Sequence, residues 1–443
     1  MVGARAFQGD PEHDVAGVCS GWGRETVKLQ VAQVASYLTR QLEAPVQVLQ
    51  LRRLGANTPT PLPSALLHPD GNQPHAADAD ALKTFGYGDP ILVECLVDGR
   101  YKRFILRTMA TNQFDHQLRS DRAAETLLCY DTFNALPQHS QALDIGVVTK
   151  DHRLVSIAEG DELFLLTEYV SGAPYARDLQ RLRKTGEVTG ADLMRARQLA
   201  HYLAQIHSVR GDDPGLYIRR IRETFGSGEG IMGLIDSYTD TPAKPLLSDN
   251  GNGTKEHPRR LPIHLHWFEE LEQLCVDWRW RLKPKTHRLT QVHGDFHPFN
   301  VLFERDSTIH VLNRSRGAWG EPADDVACMA INYLFFSLQR HGTLASPFEQ
   351  LWNIFWNSYM GLHNDPELLV VIAPFLAWRA LVLASPIWYN VADVVRYTML
   401  GFARVVLQDE LFDPAQVGFY LARAAEENPQ RYRFADAAME LPI

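Results

Sequence analysis

The sequence predicts an α+β chain of two lobes, a small antiparallel sheet with one helix followed by a larger helical lobe. Three observations carry this expectation. Two apolar runs, 91–97 and 101–108, flank the turn dipeptide Asp98-Gly99 in the manner of a β-hairpin. Residues 191–209 repeat apolar positions at helical spacing. After Asp324 nearly every segment reads as helix, and no internal repeat is present.

Taken in order, residues 24–43 place Val27, Val31, Val34, Leu38 and Leu42 on one helical stripe, and 46–51 reads as a short strand. Residues 58–80 are rich in Pro, Asn, Asp, His and Ala without periodicity, which predicts a long surface loop or insertion. Residues 1–80 are therefore read as an N-terminal extension. The N-lobe is read as 81–170: a glycine-containing loop, the hairpin, a helix over 115–135, and two further strands at 145–148 and 163–169. Residues 171–443 form the helical C-lobe, with a polar Gly/Asn-rich loop at 248–260 and a helix at 263–282.

Composition limits what such a chain does. Its 443 residues allow two or three domains, and 45% hydrophobic with 22% charged residues exclude wholesale disorder, collagen and coiled coil. Forty-four basic against 53 acidic residues leave a net charge of −9, without the basic excess of a nucleic-acid binder. The last third, 321–443, holds 14 acidic residues, seven Arg and no Lys, and so suits a neutral or cationic partner. Five scattered cysteines with no C-x-x-C pair argue against a zinc ribbon or a disulfide scaffold and point to a reducing cytoplasm. The first fourteen residues lack the apolar region of a signal peptide. The apolar stretch 370–389 is broken by Pro374, Arg379 and Pro386, so it reads as buried helix rather than a membrane span. Neither nucleic acid nor membrane is an expected partner, and oligomeric state is not legible.

The chemistry concentrates at 293–325. Runs 301–303 and 309–312 around a polar turn predict a second hairpin, whose pairing brings Asn300 beside Asn313. Asp295 lies five residues upstream of Asn300, in a loop whose Gly294 and Pro298 suit irregular backbone. A carboxylate and two amides gathered in this way suit divalent-metal and phosphate chemistry. Phosphoryl transfer needs a group to orient the attacking hydroxyl and oxygen ligands to hold Mg²⁺ on the phosphate chain.

His293-Gly-Asp-Phe-His-Pro-Phe-Asn300 resembles the H-G-D-x-x-x-x-N catalytic loop of the aminoglycoside phosphotransferase and choline kinase-like families, small-molecule relatives of protein kinases. Gly320-Glu-Pro-Ala-Asp-Asp-Val-Ala327 resembles their G-D-P-x-x-D-L-A segment, Leu199 to His207 their L-A-x-L-H helix, and Leu165 to Gly172 their inter-lobe hinge. The matches run in the family's order from Leu82 to Phe335. The resemblance implies a protein-kinase-like fold and an ATP- and Mg²⁺-dependent phosphotransferase acting on a small-molecule hydroxyl, with cationic acceptors known in the family. It implies Asp295 as catalytic base, Asn300 and Asn313 as metal ligands, and Asp325 as a structural carboxylate. It also implies Arg107 in the place of the usual Lys, with Glu125 as its partner, a loop carrying Gly86 and Gly88 over the phosphates, and Glu168 and Val170 at the hinge.

Plainer readings stand beside these. Asp295 and Asn300 also suit a loop capped by Asx turns, and Arg107 and Glu125 suit ordinary surface positions. His293 and His297 have no Cys or further His at zinc spacing, so His293 reads as a loop brace. His264 and His266, two apart, share no helical face. Trp352, Trp356, Trp378 and Trp388 read as helical core before substrate pocket.

One position departs from the family's pattern: Asn313 stands where the family has Asp. A full negative charge is lost beside a dication and a triphosphate, where electrostatics supply most of the catalysis. The departure leaves open a slow or silent enzyme, a compensating neighbour, or an introduced change. It supports, as an alternative function, a catalytically inactive pseudokinase that binds nucleotide or ligand as a regulatory module. A plain binding protein with no nucleotide affinity is the third expectation.

Overall fold

The computed structural model describes residues 29–53, 88–109, 116–134, 141–160, 167, 170–226, 230–239, 263–305, 307–313, 317–386, 388–427 and 429. These residues divide by contact into two units, with the boundary between Thr167 and Glu168.

In the first unit, helix α1 (Val31–Gln41) leads into strand β1 (Val46–Arg53), followed by the hairpin β2 (Gly88–Val97) and β3 (Arg100–Met109). The sheet order is β1-β2-β3, antiparallel throughout, with Val46 opposite Val97 and Arg53 opposite Ile91. This corrects the reading of residues 1–80 as an extension outside the N-lobe. Strand β1 is an edge of the same sheet, and Val34 and Leu38 of α1 share one apolar cluster with Val48, Val93, Cys95 and Val97. Each large aliphatic side chain buried there contributes roughly 1.5–3 kcal/mol. The β2–β3 pairing reaches Gly88 opposite Met109, so Gly88 and Asp89 belong to a strand rather than to the expected loop. Residues 54–87, including the insertion expected at 58–80, lie outside the described residues.

Helix α2 (Arg119–Phe133) follows, and then a small separate hairpin of β4 (Gly146–Val148) and β5 (Leu154–Ser156). The expected strand at 163–169 lies, apart from Thr167, outside the described residues, and β4 pairs with β5. The hairpin closes through Lys150 and Asp151, where the His152 N–H donates to the Thr149 carbonyl at 2.9 Å, and His152 itself sits at φ +62°.

The second unit is mostly helical. Strand β6 (Ala173–Pro174) precedes α3 (Tyr175–Thr185), α4 (Gly190–His207), α5 (Pro214–Phe225), α6 (Ile231–Thr239) and α7 (Leu265–Leu282). Then come the short strands β7 (Thr290–Gln291), β8 (Val301–Phe303), β9 (Ile309–Val311) and β10 (Trp319–Gly320). Helices α8 (Pro322–His341), α9 (Phe348–Leu362), α10 (Leu368–Val371), α11 (Ala373–Ala384), α12 (Asp393–Gln408) and α13 (Val417–Glu426) complete it. His264 is the N-cap of α7 and accepts the His266 N–H, so the two histidines serve the start of a helix. Trp352, Trp356 and Trp378 are core residues, whereas Trp388 is half exposed.

Helix α8 is the axis of this unit. Its residues from Pro322 to Leu338 are all buried, it packs against α3, α9 and α11, and it ends at Gly342 in the left-handed region. Its N-cap is Glu321, whose carboxylate accepts the Ala323 N–H at 3.2 Å. Glu321 is itself fixed by a buried fork: Arg288 donates to it at 2.7 and 2.9 Å and to Asp365 at 2.8 Å on both oxygens, while Tyr217 donates at 2.8 Å. Burial favours the neutral acid of Asp365, but the Arg288 bonds and charge outweigh it and hold that carboxyl below its usual range.

Two stability predictions follow from this cluster. Arg288→Met strands two buried carboxylates without a cation and is expected to cost about 3–5 kcal/mol, read as a lower urea midpoint. His363, next to Asp365, is pushed down to about 4 by burial and by the neighbouring His207. Its folded form then resists a proton that the unfolded chain takes up below its ordinary value of 6.5, so stability falls with pH across that window. Unfolding free energies at pH 7 and pH 4.5 are expected to differ less in His363→Gln than in the wild type; an identical slope refutes the assignment.

Candidate active site

The site is built on the loop between β7 and β8. Gly294 turns the chain at φ +84°, a conformation suited to glycine, and places its neighbours' amides against the start of α8. The Asp325 carboxylate there accepts the backbone N–H of His293 at 2.7 Å and of Gly294 at 2.8 Å. Asp325 is fully buried and also lies 3.3 Å from His207 Nε2, whose other ring nitrogen is 2.7 Å from the Tyr359 hydroxyl. Burial alone raises its pKa, but His207 and the bonded N–H groups outweigh that and hold the carboxyl down. The ring of His293 is buried, and its Nδ1 accepts the Asp295 N–H at 3.3 Å.

The hairpin β8–β9 supplies the rest. Its register sets Val301 opposite Val311, so Asn300 pairs with Leu312, whose N–H donates to the Asn300 carbonyl at 2.8 Å. Asn313 then sits one residue beyond direct opposition. Its φ of +58°, in the left-handed region that Asn tolerates well, accompanies a side chain turned back over Asn300. The Asn313 Nδ2 donates to Asn300 Oδ1 at 3.0 Å, and Asn300 Nδ2 donates to the Asp295 carbonyl at 3.0 Å and to its Oδ2 at 3.2 Å. Asp295, Asn300 and Asn313 therefore form one chain of side-chain hydrogen bonds.

Asp295 is half-buried and charged. Burial favours its neutral form, yet His297, 3.4 Å from Oδ2, and Arg379, donating to Oδ1 at 2.8 Å, hold the carboxyl well below the usual carboxylate range. Arg379 comes from α11, far along the chain, and was not among the residues expected here. Asp324 completes the arrangement by accepting from Arg379 at 2.7 and 3.1 Å. The signal was present in the sequence: a lone Arg in the apolar run of residues 375–384 demands a buried anionic partner.

The oxygen-only donors Asn300 and Asn313 fit a hard cation such as Mg²⁺ in kind, although neither carries charge. An amide turned over at Asn313 would set two carbonyl oxygens face to face, an arrangement that calls for a cation between them. Among the described residues no group of three or more His, Cys, Asp or Glu is placed to hold a metal.

The other expected positions belong to the first unit or to its boundary. Arg107 lies exposed on β3 with Arg103 and Ile105, while Phe104 and Leu106 face the apolar cluster. Glu125 of α2 pairs with the buried His116, not with Arg107, which corrects the expected ion pair. A histidine only nine residues away reaches the glutamate within the same local turn of chain. Val170 is half-buried, and Gly86 and Glu168 lie outside the described residues.

Residues 96–352, more than half of the chain, match the phosphotransferase enzyme family model, APH. Among solved structures, an amicoumacin kinase is 15% identical over 74% of this chain and 89% of its own, with a TM-score of 0.35. A Plasmodium vivax ethanolamine kinase is 12% identical over 77% and 79%, with a TM-score of 0.30. A choline kinase from Cryptosporidium parvum is 11% identical over 78% and 90%, with a TM-score of 0.28. No curated protein matches the sequence. The family match covers both the β2–β3 turn and the 293–325 site, and by it the chain belongs to the APH phosphotransferase enzyme family.

Proposed function

We propose that this chain transfers the γ-phosphate of ATP to a hydroxyl group of a small molecule. The observation that carries the proposal is the hydrogen-bonded set Asp295–Asn300–Asn313, held on a loop whose backbone Asp325 grips. Asp295 accepts the hydroxyl proton as the acceptor oxygen attacks. Its carboxylate is ionised and oriented before substrate arrives, so little reorganisation is left to the reaction itself. Asn300 and Asn313 would hold Mg²⁺ through their amide oxygens, with the Asn313 amide turned over, and a cation bound there would supply positive charge against the triphosphate.

Arg107 and the Gly86–Gly88 stretch bind the nucleotide phosphates, and Glu168 and Val170 hold its base. A cationic acceptor suits the acidic C-terminal third. The described cysteines, Cys95, Cys129, Cys275 and Cys328, are free thiols, in keeping with a reducing cytoplasm. No described helix is long and apolar enough to cross a membrane.

A second reading is favoured by one contact. The Asn313 amide donates to the very oxygen of Asn300 that a metal would use, so the neutral pair is self-satisfied. A nucleotide-binding regulatory protein without turnover is built in the same way.

Turnover of ATP against a panel of hydroxyl acceptors separates the two readings. Asp295→Asn is expected to lower kcat by about 10²–10⁴-fold, as loss of a general base does. Asn313→Asp restores the missing charge and is expected to raise turnover by about tenfold or more. Absence of acceptor-dependent turnover in both the wild type and Asn313→Asp, with ATP and Mg²⁺ still raising the melting temperature, selects the regulatory reading.

A further inference from the structure

Two adjacent carboxylates open α8, and they hold the 293–295 loop by different means. Asp325 bonds its backbone directly, whereas Asp324 acts through a buried guanidinium. We propose that Arg379 is a positioning residue for phosphoryl transfer: locked by Asp324, its planar fork sets the direction of the Asp295 carboxylate. The inference rests on Asp295 being the base of the proposed reaction.

The geometry leaves Arg379 little freedom. The residue is 6% exposed, and its Nε and Nη2 both donate to Asp324 Oδ1, at 3.1 and 2.7 Å. Nη2 also reaches the Gly294 carbonyl at 3.3 Å, and Nη1 donates to Asp295 Oδ1 at 2.8 Å. The guanidinium lies 4.2 Å from the centre of the Trp378 ring, which covers one of its faces. Asp295 is thus held at Oδ1 by Arg379 and at Oδ2 by Asn300, and rotation of its carboxylate breaks one bond or the other. Lone pairs remain on both oxygens for an incoming hydroxyl. A point charge would attract Asp295 as strongly, but a fork anchored on Asp324 also fixes the angle. Arg379 bonds neither Asn300 nor Asn313, so its contribution is to orientation of the base and not to the amide pair.

The test compares Arg379→Gln and Arg379→Lys, in the wild-type chain and in Asn313→Asp. Arg379→Gln is expected to lower kcat about 10–100-fold with the KM for ATP unchanged, the signature of a misplaced base. Arg379→Lys keeps the charge without the fork and is expected to stay within about threefold of Arg379→Gln. Full kcat in Arg379→Lys, or a raised KM for ATP with unchanged kcat, overturns the proposal. Where Arg379→Gln fails to fold by circular dichroism, Asp324→Asn carries the same expectation, because it releases the fork from α8. Absence of turnover in every chain defeats the enzyme reading but leaves a separate readout in hydrogen exchange. Amides 295–297 are then expected to exchange faster in Arg379→Lys than in the wild type, while those of His293 and Gly294, bonded to Asp325, stay protected. Equal exchange at 295–297 overturns the positioning role.

Discussion

The second unit depends on how negative charge is buried at the start of one helix. Glu321, Asp324 and Asp325 are all buried within the first turn of α8, where the helix dipole favours anions but removal from water costs far more than the dipole returns. Each carboxylate is answered separately: Glu321 by Arg288 and Tyr217, Asp324 by Arg379, and Asp325 by His207 and two backbone N–H groups. These partners come from distant parts of the chain, so meeting the charge requirement brings α4, α11 and the 293–295 loop to one point.

This arrangement explains why the loop is rigid where chemistry needs it. A loop of irregular backbone has no ladder of its own to fix it, and its donors and acceptors must be satisfied one at a time. Asp325 takes the N–H groups of His293 and Gly294, Arg379 takes the Gly294 carbonyl, and Asn300 takes the Asp295 carbonyl. The Asp295 carboxylate is then carried by a backbone whose three N–H groups at 293–295 and whose Gly294 and Asp295 carbonyls are all bonded. The Asn300–Asn313 contact is different in character, since it joins two neutral amides and stores no charge. A cation would have to draw its binding from phosphates more than from protein.

Much of the candidate site was legible because its signals are local. Asp295, Gly294 and Asn300 fall within seven residues, and the β8–β9 hairpin needs only two short apolar runs and a polar turn to bring Asn313 back. The exact register was not legible. Asn300 faces Leu312, and Asn313 reaches it only by a left-handed turn that side-chain alternation does not encode. The place of β1 in the sheet was also hidden, since its partner β2 lies beyond residues 54–87 and pairing across such a gap leaves no periodic trace. Glu125 shows the converse. Its helix was expected, but whether it met Arg107 or His116 was settled by proximity in space.

The sequence by itself determined the α+β class, the 293–300 loop and the identity of its polar groups, because alternation, helical spacing and short motifs are properties of neighbouring residues. Only the tertiary structure decided that Arg379 and Asp324 stand behind Asp295. A buried charge specifies that some partner must exist, yet its Coulomb energy does not name one. The packing of α11 against α8, set by apolar contacts spread over both helices, made the choice.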